Sequence, residues 1–285
     1  MAEPSDMQTV AIVGTGLIGA SFGLALRRAG FEGEIIGVSS ERATADALAA
    51  GAIHRSATLT EAAASADLIF LSQTIGRIVD TIRHLDPLVK PGALVTDAGS
   101  TKCEIVDAAL QHLTRCQFLG GHPMAGKERR GASEASAELF DGQVWLLTPE
   151  ESSALDTAAA REFRSWLGRI GARVAVLNCE AHDSIVALTS HLPQLASTAL
   201  AALLKNKLLE GQNTISGSGL RDMTRLALSS YDLWRDILAT NSTRIDAALG
   251  AYIQELEHIR ENLRTRQLQD EFQRASEFAE QTRKK

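Results

Sequence analysis

The stretch "TVAIVGTGLIGASFGLALRRAG", residues 9–30, decides the fold class. A short apolar run leads into G-x-G-x-x-G, and an apolar segment with helix-forming residues follows. In a strand, turn and helix of this kind, the first glycine permits the tight turn and the second admits a pyrophosphate close to the backbone. The third glycine lets the helix pack against the strand, and the helix N-terminus offers unpaired N–H groups to the phosphates. The predicted dinucleotide contacts are Gly14, Gly16, Leu17, Ile18 and Gly19.

Short apolar runs alternate with helical stretches as far as about residue 178. Several of these runs are apolar at successive positions, which is typical of strands covered by helices on both faces. The pattern predicts an α/β fold with a Rossmann-type doubly wound sheet. The predicted strands are 9–13, 35–38, 68–72, 93–96, 117–119, 144–147 and 173–177.

The chain changes character after residue 179. Apolar residues recur at helical spacing from Ile185 to Leu203 and again from Ile245 to Leu256, and no strand pattern is found. Pro193 lies inside the first of these helices and is expected to kink it. We therefore predict a dinucleotide-binding domain over residues 1–179 and an all-α substrate and dimerisation domain over residues 180–285.

Composition excludes several classes of protein. The formal charge is −6 and no run of Lys and Arg precedes the end of the chain, which argues against non-specific nucleic-acid binding. The three cysteines never form a C-x-x-C spacing, so neither a disulfide framework nor a zinc site is indicated. No apolar run approaches the roughly 18 to 20 residues that span a bilayer. We expect a cytoplasmic protein without signal peptide, membrane anchor or bound metal.

The second predicted strand ends in "IIGVSSERAT", residues 35–44, where the adenosine ribose should bind. A carboxylate usually binds the ribose hydroxyls at this point, but the sequence offers Ser39, Ser40 and Arg42. Hydroxyls and a guanidinium suit the 2′-phosphate of NADP, which a carboxylate would repel. The sequence therefore favours NADP over NAD, while the neighbouring Glu41 keeps NAD open.

A histidine follows two glycines in "GGHPMAGKERRG", residues 120–131. It comes just after a predicted strand, and ligands of open parallel sheets bind beyond the carboxyl ends of the strands. The imidazole of His122 is suited to accept a hydroxyl proton while hydride leaves the same carbon. Ser100, in "DAGSTK" after the preceding strand, could share this hydrogen bond. The alternative is a surface or capping histidine.

The helical part holds further candidates. Arg221 and Arg225 are four residues apart and would share one helix face, where they could receive carboxylates or form a solvated charged surface. His191, in "TSHLPQ", borders the apolar stripe, and by itself such a residue is more often a core histidine than a ligand.

Five motifs together resemble the prephenate and arogenate dehydrogenase family of tyrosine biosynthesis, over about residues 8–241. They are "GTGLIGAS", "TDAGSTK", "GGHPMAGKERRG", "TSHLPQ" and "RDMTR". The resemblance implies an oxidative decarboxylation, in which hydride passes from the ring carbon bearing the hydroxyl to the nicotinamide. The ring carboxylate then leaves as carbon dioxide and the ring becomes aromatic. It also implies that His122 is the base and that Ser100 helps to orient it.

The same resemblance assigns the substrate pocket. It implies that His191 contacts the substrate, that Arg225 binds a substrate carboxylate, that Trp234 of "YDLWRDI" lines the pocket and that Glu128 lies near the pocket entrance. Thr74, in "LSQTIGR", stands where many relatives have proline, and it is the predicted cofactor contact of that loop. Together with the long apolar stripe of the last helices, the resemblance predicts a homodimer.

The choice of substrate stays open. Arogenate carries an ammonium group where prephenate has a ketone, so selection for arogenate needs a nearby carboxylate. Asp222, Asp232 and Asp236 are candidates for it, whereas the uncharged Ser229 and Ser230 favour prephenate.

Two other functions remain as alternatives. The first is a β-hydroxyacid dehydrogenase, whose catalytic lysine would be Lys205 or Lys207. The second is a dinucleotide sensor without catalytic activity.

Overall fold

A single sheet holds every strand of the residues described by this computed structural model, which are 7–126, 129, 131–209, 211–265 and 267–283. The strand order is β3-β2-β1-β4-β5-β6-β7-β8. The strands are β1 Thr9–Val13, β2 Glu34–Val38, β3 Arg55–Ser56, β4 Leu68–Leu71, β5 Leu94–Asp97, β6 Gln117–Pro123, β7 Val144–Thr148 and β8 Arg173–Val176.

The sheet is parallel from β3 through β6, and β6 then pairs antiparallel with β7. The predicted doubly wound fold is confirmed, and every predicted strand is present. The two-residue β3 was missed because it is too short and too polar to give a pattern. The sequence placed the end of β6 at Leu119, but this strand continues to Pro123 because Gly120 to Pro123 pair with β7. His122 therefore lies within a strand rather than after it.

Helices cover both faces of the sheet and produce two cores. Alternate residues of each central strand enter different clusters: Ile12 and Phe70 pack on one side, and Val13 and Leu71 on the other. This two-sided burial explains the uninterrupted apolar runs. The helices of this part are α1 Leu17–Arg28, α2 Glu41–Ala49, α3 Leu59–Ser65, α4 Ile75–Leu85, α5 Cys103–His112 and α6 Ala158–Arg169.

Beyond Val176 the described residues contain helices and no strand, as predicted. A five-residue π-helical turn over Ala187–His191 joins α7 to α8, and Pro193 lies in the first turn of α8. In place of the expected kink, the helix has a wide turn, and this turn precedes Pro193, which has no backbone N–H. The helices are α7 Cys179–Val186, α8 Leu192–Lys207, α9 Ser218–Thr224, α10 Tyr231–Thr240, α11 Ser242–Asn262 and α12 Gln269–Arg283.

The continuous helical segment Cys179–Lys207 is long and apolar enough to cross a membrane by length and composition, although polar residues interrupt every apolar run within it. Core helices of other proteins meet the same criterion, so one such segment is weak evidence for a membrane span. Its apolar side chains lie largely at the surface of the single chain: Leu188 is 55% exposed and Leu203 is 53% exposed.

Candidate active site

The glycine turn after β1 has the geometry that a pyrophosphate requires. Gly14 has a φ of +98°, and a Cβ there would lie 2.6 Å from the carbonyl oxygen of Ser72. A Cβ on Gly19 would lie 2.1 Å from the carbonyl oxygen of Gly14, so this position must stay bare for α1 to pack. A Cβ on Gly16 would meet no atom within 4 Å. The open face at Gly16 leaves room for a phosphate at the N-terminus of α1, where Leu17 begins the helix.

The end of β2 leaves a cation exposed beside this turn. Ser39 is exposed, and Ser40 is the N-cap of α2, where its Oγ accepts a 3.4 Å hydrogen bond from the N–H of Ala43. Arg42 is exposed in the first turn of α2 and forms no ion pair with any residue that the structure describes. Thr74 is exposed as the N-cap of α4, at the carboxyl end of the neighbouring β4.

His122 is tied to a residue pair that the sequence analysis missed. Its Nδ1 lies 2.9 Å from Nε2 of His182, and Nδ1 of His182 lies 2.8 Å from Oδ1 of Asp183. Both side chains are fully buried near the start of α7. The adjacent His and Asp next to the predicted domain boundary were the available signal, but only the fold brings them to a histidine 60 residues away.

Asp183 also holds the start of α5. Its two carboxylate oxygens accept hydrogen bonds from the backbone N–H groups of Lys102, at 2.7 Å, and Cys103, at 3.0 Å. Burial opposes ionisation of this carboxyl group, but the hydrogen bonds from His182, Cys103 and Lys102 outweigh it and lower the pKa of Asp183 to about 2. Asp183 is therefore a buried carboxylate at neutral pH.

The environment keeps His122 neutral. Burial lowers its pKa well below the ordinary value of a histidine, and His182, Lys102 and His191 lower it further, while Asp183 opposes the shift. Burial likewise lowers the pKa of His191 to about 4, with Asp183 opposing this shift. A neutral imidazole retains the lone pair that a general base needs.

A buried ion pair fixes the loop that carries Ser100. Lys102 is fully buried, where its Nζ pairs with the carboxylate of Asp97 and donates a 2.7 Å hydrogen bond to the carbonyl oxygen of Gly121. Oδ1 of Asp97 accepts a 3.0 Å bond from the N–H of Gly121. Ser100 is half-buried in this loop, and the described structure contains no hydrogen bond between it and His122. Sequence reasoning missed Lys102, because a lysine is rarely buried.

His191 and Trp234, both of which the family resemblance assigns to the substrate pocket, lie together. His191 is buried at the end of the π-helical turn, with Nδ2 of Asn241 3.3 Å from its Nδ1. The rings of His191 and Trp234 meet edge to face, with centroids 5.7 Å apart. Nε1 of Trp234 is buried and has no hydrogen-bond partner among the described residues.

The predicted arginines lie on two consecutive elements. Arg221 is exposed on α9, which ends at Thr224, and Arg225 begins a short 3₁₀ turn over Arg225–Leu228. Two buried residues of α8 hold this turn: Nε2 of Gln194 donates to the carbonyl oxygen of Leu226 at 2.8 Å, and Oγ of Ser197 accepts from the N–H of Ala227 at 3.1 Å. Glu128 lies outside the described residues.

The helical part docks onto the carboxyl edge of the sheet through polar contacts. The hydroxyls of Thr101 and Thr240 lie 2.8 Å apart, and the carboxylate of Asp183 on α7 accepts from the N–H of Lys102. Within the helical part, Nδ2 of Asn241 donates a 2.8 Å bond to the carbonyl oxygen of Asp183. The glycine turn and the neutral His122 thus share one edge of the sheet, and the helices that carry His191 and Trp234 are packed near it.

A glycine turn with room for a phosphate, together with a neutral imidazole at the carboxyl edge of a Rossmann sheet, is typical of a nicotinamide-dependent dehydrogenase. Two family models match the chain: "Prephenate dehydrogenase, nucleotide-binding domain" over residues 22–176, and "Prephenate dehydrogenase, dimerization domain" over residues 178–278. The chain belongs to the prephenate dehydrogenase family, which confirms the resemblance drawn from the sequence.

Curated relatives agree with this assignment. The chain is 33% identical over 262 residues to the prephenate dehydrogenase of Bacillus subtilis, covering 88% of this chain and 69% of that protein. It is 32% identical over 240 residues to the prephenate dehydrogenase of Lactococcus lactis, covering 82% of this chain and 65% of that protein. The matches therefore span about two thirds of the length of these relatives.

Solved structures are similar over nearly the whole chain. Prephenate dehydrogenase from A. aeolicus in complex with hydroxyphenyl propionate and NAD+ has a TM-score of 0.88 at 27% identity, covering 99% of each chain. Arogenate dehydrogenase from Synechocystis has a TM-score of 0.79 at 30% identity, covering 97% of this chain and 99% of that one.

Proposed function

We propose that the protein is a prephenate dehydrogenase, which converts prephenate and NAD(P)+ to 4-hydroxyphenylpyruvate, carbon dioxide and NAD(P)H. The observation that carries the proposal is the neutral His122, held at the carboxyl edge of the sheet that also carries the glycine turn. Family membership and the relatives named above supply the substrate class.

The residues fit the dinucleotide, because the open face at Gly16 and the N-terminus of α1 leave space and N–H donors for a pyrophosphate. When bound, the nicotinamide supplies the hydride acceptor. Nε2 of His122 accepts the proton of the ring hydroxyl as hydride leaves the carbon that bears this hydroxyl. The bond to the ring carboxylate breaks and its electron pair enters the ring. The proton returns to the oxygen, so the products are a phenol and carbon dioxide, with no net proton released.

The substrate contacts are proposals of the same kind. His191 and Trp234 would line the pocket, and the buried Nε1 of Trp234 would gain a hydrogen-bond acceptor from the substrate. Arg225, on a turn fixed by α8, would bind a carboxylate of the dianion. The further proposed contacts are Arg221, Glu128 and Ser100.

Arogenate is the alternative substrate, because the similar Synechocystis protein is an arogenate dehydrogenase. Of the three aspartates that could select its ammonium group, Asp236 already accepts hydrogen bonds on both carboxylate oxygens, from the N–H of Gly76 and from Arg235. Asp222 and Asp232 are exposed. Initial rates with prephenate and with arogenate at equal concentrations test the choice, and a higher kcat/KM for arogenate would reverse it.

NADP is the proposed cofactor, because the exposed Arg42 and the two serines present donors at the position of a 2′-phosphate. The NAD+ in the A. aeolicus complex keeps NAD as the alternative.

We further propose a division into domains at residue 179, a homodimer formed by the helical domain and a cytoplasmic location. The apolar side chains exposed on the helices support the dimer, and the three free cysteines support a reducing compartment. The lysine required of a β-hydroxyacid dehydrogenase has little support, because Lys205 and Lys207 are exposed at the end of α8.

A further inference from the structure

We propose that His182 and Asp183 are positioning residues that hold His122 in one tautomer, with hydrogen on Nδ1 and a bare Nε2 that accepts the substrate proton. They also disperse the positive charge that His122 acquires when it accepts this proton. The inference rests on the proposed function for its reaction, but the tautomer itself can be measured without any substrate.

The hydrogen bonds from His122 through His182 to Asp183 form a chain, and the ionised carboxylate sets the direction in which each bond is donated. Asp183 is ionised, so every group around its carboxylate must donate a hydrogen. These donors include the backbone N–H groups of Lys102 and Cys103, and Nδ1 of His182. A neutral His182 that uses its hydrogen toward Asp183 has a bare Nε2. That atom lies 2.9 Å from Nδ1 of His122, which must then carry the hydrogen.

Neighbouring residues hold both ends of this hydrogen-bond chain in place. His182 and Asp183 are fully buried, and the carbonyl oxygen of Asp183 is bound by Asn241. On the other side, Lys102 and Asp97 pin Gly121, the residue next to His122 in β6. Neither His182 nor Asp183 can turn away without leaving a buried polar group unpaired, which is unfavourable.

The charges near His122 explain why a carboxylate is needed. His182, Lys102 and His191 all oppose protonation of His122, and Asp183 favours it. When Nε2 of His122 accepts the substrate proton, the Nδ1 hydrogen can shift toward His182, whose own hydrogen already points at Asp183. The positive charge is thereby spread from His122 over His182 toward the buried carboxylate of Asp183, and no additional proton acceptor is required.

Asp183→Asn tests the tautomer. The carbonyl oxygen of an asparagine can still accept from the N–H of Cys103, but its NH₂ group would then replace Oδ1 and face both the N–H of Lys102 and Nδ1 of His182. Both imidazoles would reverse, and Nε2 of His122 would carry the hydrogen. We expect kcat to fall about 10²- to 10⁴-fold, the usual contribution of a general base, with little change in KM.

His182→Gln and His182→Leu form a matched pair. The glutamine can offer its carbonyl oxygen to the Nδ1 hydrogen of His122, whereas leucine cannot, so His182→Gln should retain at least tenfold more kcat than His182→Leu. Equal kcat values for the two variants would mean that His182 only fills space. NADPH affinity and the thermal unfolding midpoint should stay near wild type in His182→Gln, and this pair carries the test if Asp183→Asn does not fold.

Nitrogen-15 NMR of histidine-labelled protein reads the tautomer directly. We expect a protonated Nδ1 and a bare Nε2 at His122 in the wild type, and the reverse in Asp183→Asn. A wild-type His122 with hydrogen on Nε2 would overturn the inference, as would an Asp183→Asn enzyme with unchanged kcat. A protein with the expected tautomer that oxidises neither prephenate nor arogenate would instead refute the proposed function.

Discussion

The backbone N–H of Gly76, in the first turn of α4, donates a 3.1 Å hydrogen bond to Oδ2 of Asp236 on α10. A carboxylate from the helical part thus caps a helix of the sheet domain, where the helix dipole favours negative charge. We predict that Asp236→Ala lowers the free energy of unfolding by about 1 kcal/mol, measured by urea denaturation. The ratio of prephenate to arogenate kcat/KM should not change, and Asp236→Asn, which keeps an acceptor, should lose less stability. A selective loss of arogenate activity in Asp236→Ala would instead make this residue the substrate selector.

Replacing the proposed base separates chemistry from binding. His122→Asn removes the acceptor for the hydroxyl proton, so we predict a fall in kcat of about 10²- to 10⁴-fold. The affinity for NADPH, followed by fluorescence, should stay within a small factor of wild type, because the glycine turn is untouched. Turnover at the wild-type rate would show that the imidazole is not the base.

The pH dependence follows from the neutral state of His122. The base is active when deprotonated, so the rate falls as the pH drops through its pKa. Because burial first, and then His182, Lys102 and His191, hold the pKa of His122 well below its usual range, the fall should begin only below pH 6.5. A profile of kcat/KM from pH 5 to 9 tests this, and an acid limb centred at or above pH 6.5 would contradict it.

Cofactor choice should depend on the end of β2. Arg42→Ala removes a charge-assisted hydrogen bond to the 2′-phosphate, which is worth roughly 1.5 to 3 kcal/mol, so NADP affinity should fall about tenfold or more. NAD affinity should hardly change. Ser39→Asp should favour NAD, since a carboxylate accepts from the ribose hydroxyls and repels the phosphate. Should the wild type prefer NAD, with Arg42→Ala silent for both cofactors, the side chain points to solvent.

Assembly should depend on the apolar surface of the helical part. Leu203, 53% exposed on α8, is predicted to be covered in a homodimer, so Leu203→Glu should shift the mass from light scattering toward that of the monomer. Leu110 on α5 is 48% exposed and provides the matched control, because Leu110→Glu should leave the mass unchanged. A wild-type monomer at micromolar concentration would refute the dimer.

Local sequence pattern predicted the parts of this structure that local chemistry determines. Gly14 is required by its positive φ and Gly19 by its close contact with the backbone of Gly14. Both requirements lie within a single strand, turn and helix, so the spacing of these glycines alone indicates the fold. The central strands are apolar on both faces because both faces are buried, and that pattern is visible in the sequence. The edge strand β3 has only two exposed residues, Arg55 and Ser56, and therefore leaves no trace.

The surroundings of His122 could not be predicted in the same way. His182 and Asp183 have the composition of an ordinary helix start, and their role exists only because α7 packs beside α5 and β6. Lys102 is a charged residue in a loop, and nothing in its neighbours indicates that Asp97 neutralises it in the interior. Such contacts depend on long-range packing, for which a single sequence carries no periodic signal.

The π-helical turn over Ala187–His191 changes which side chains of α8 face inward, compared with an uninterrupted α-helix continuing from α7. This turn holds one residue more than an α-helical turn. The side chains of α8 are therefore displaced by about 100° around the helix axis from the positions that an uninterrupted α-helix would give them. The inward positions of this segment are then His191, Gln194 and Ser197, and leucines face outward. Deleting one residue from this turn would leave an ordinary α-helical turn and keep the inward side of α8 in place, whereas a deletion within α8 would rotate the residues beyond it by about 100°. Single-residue deletions in the turn should therefore be better tolerated than single-residue deletions within α8.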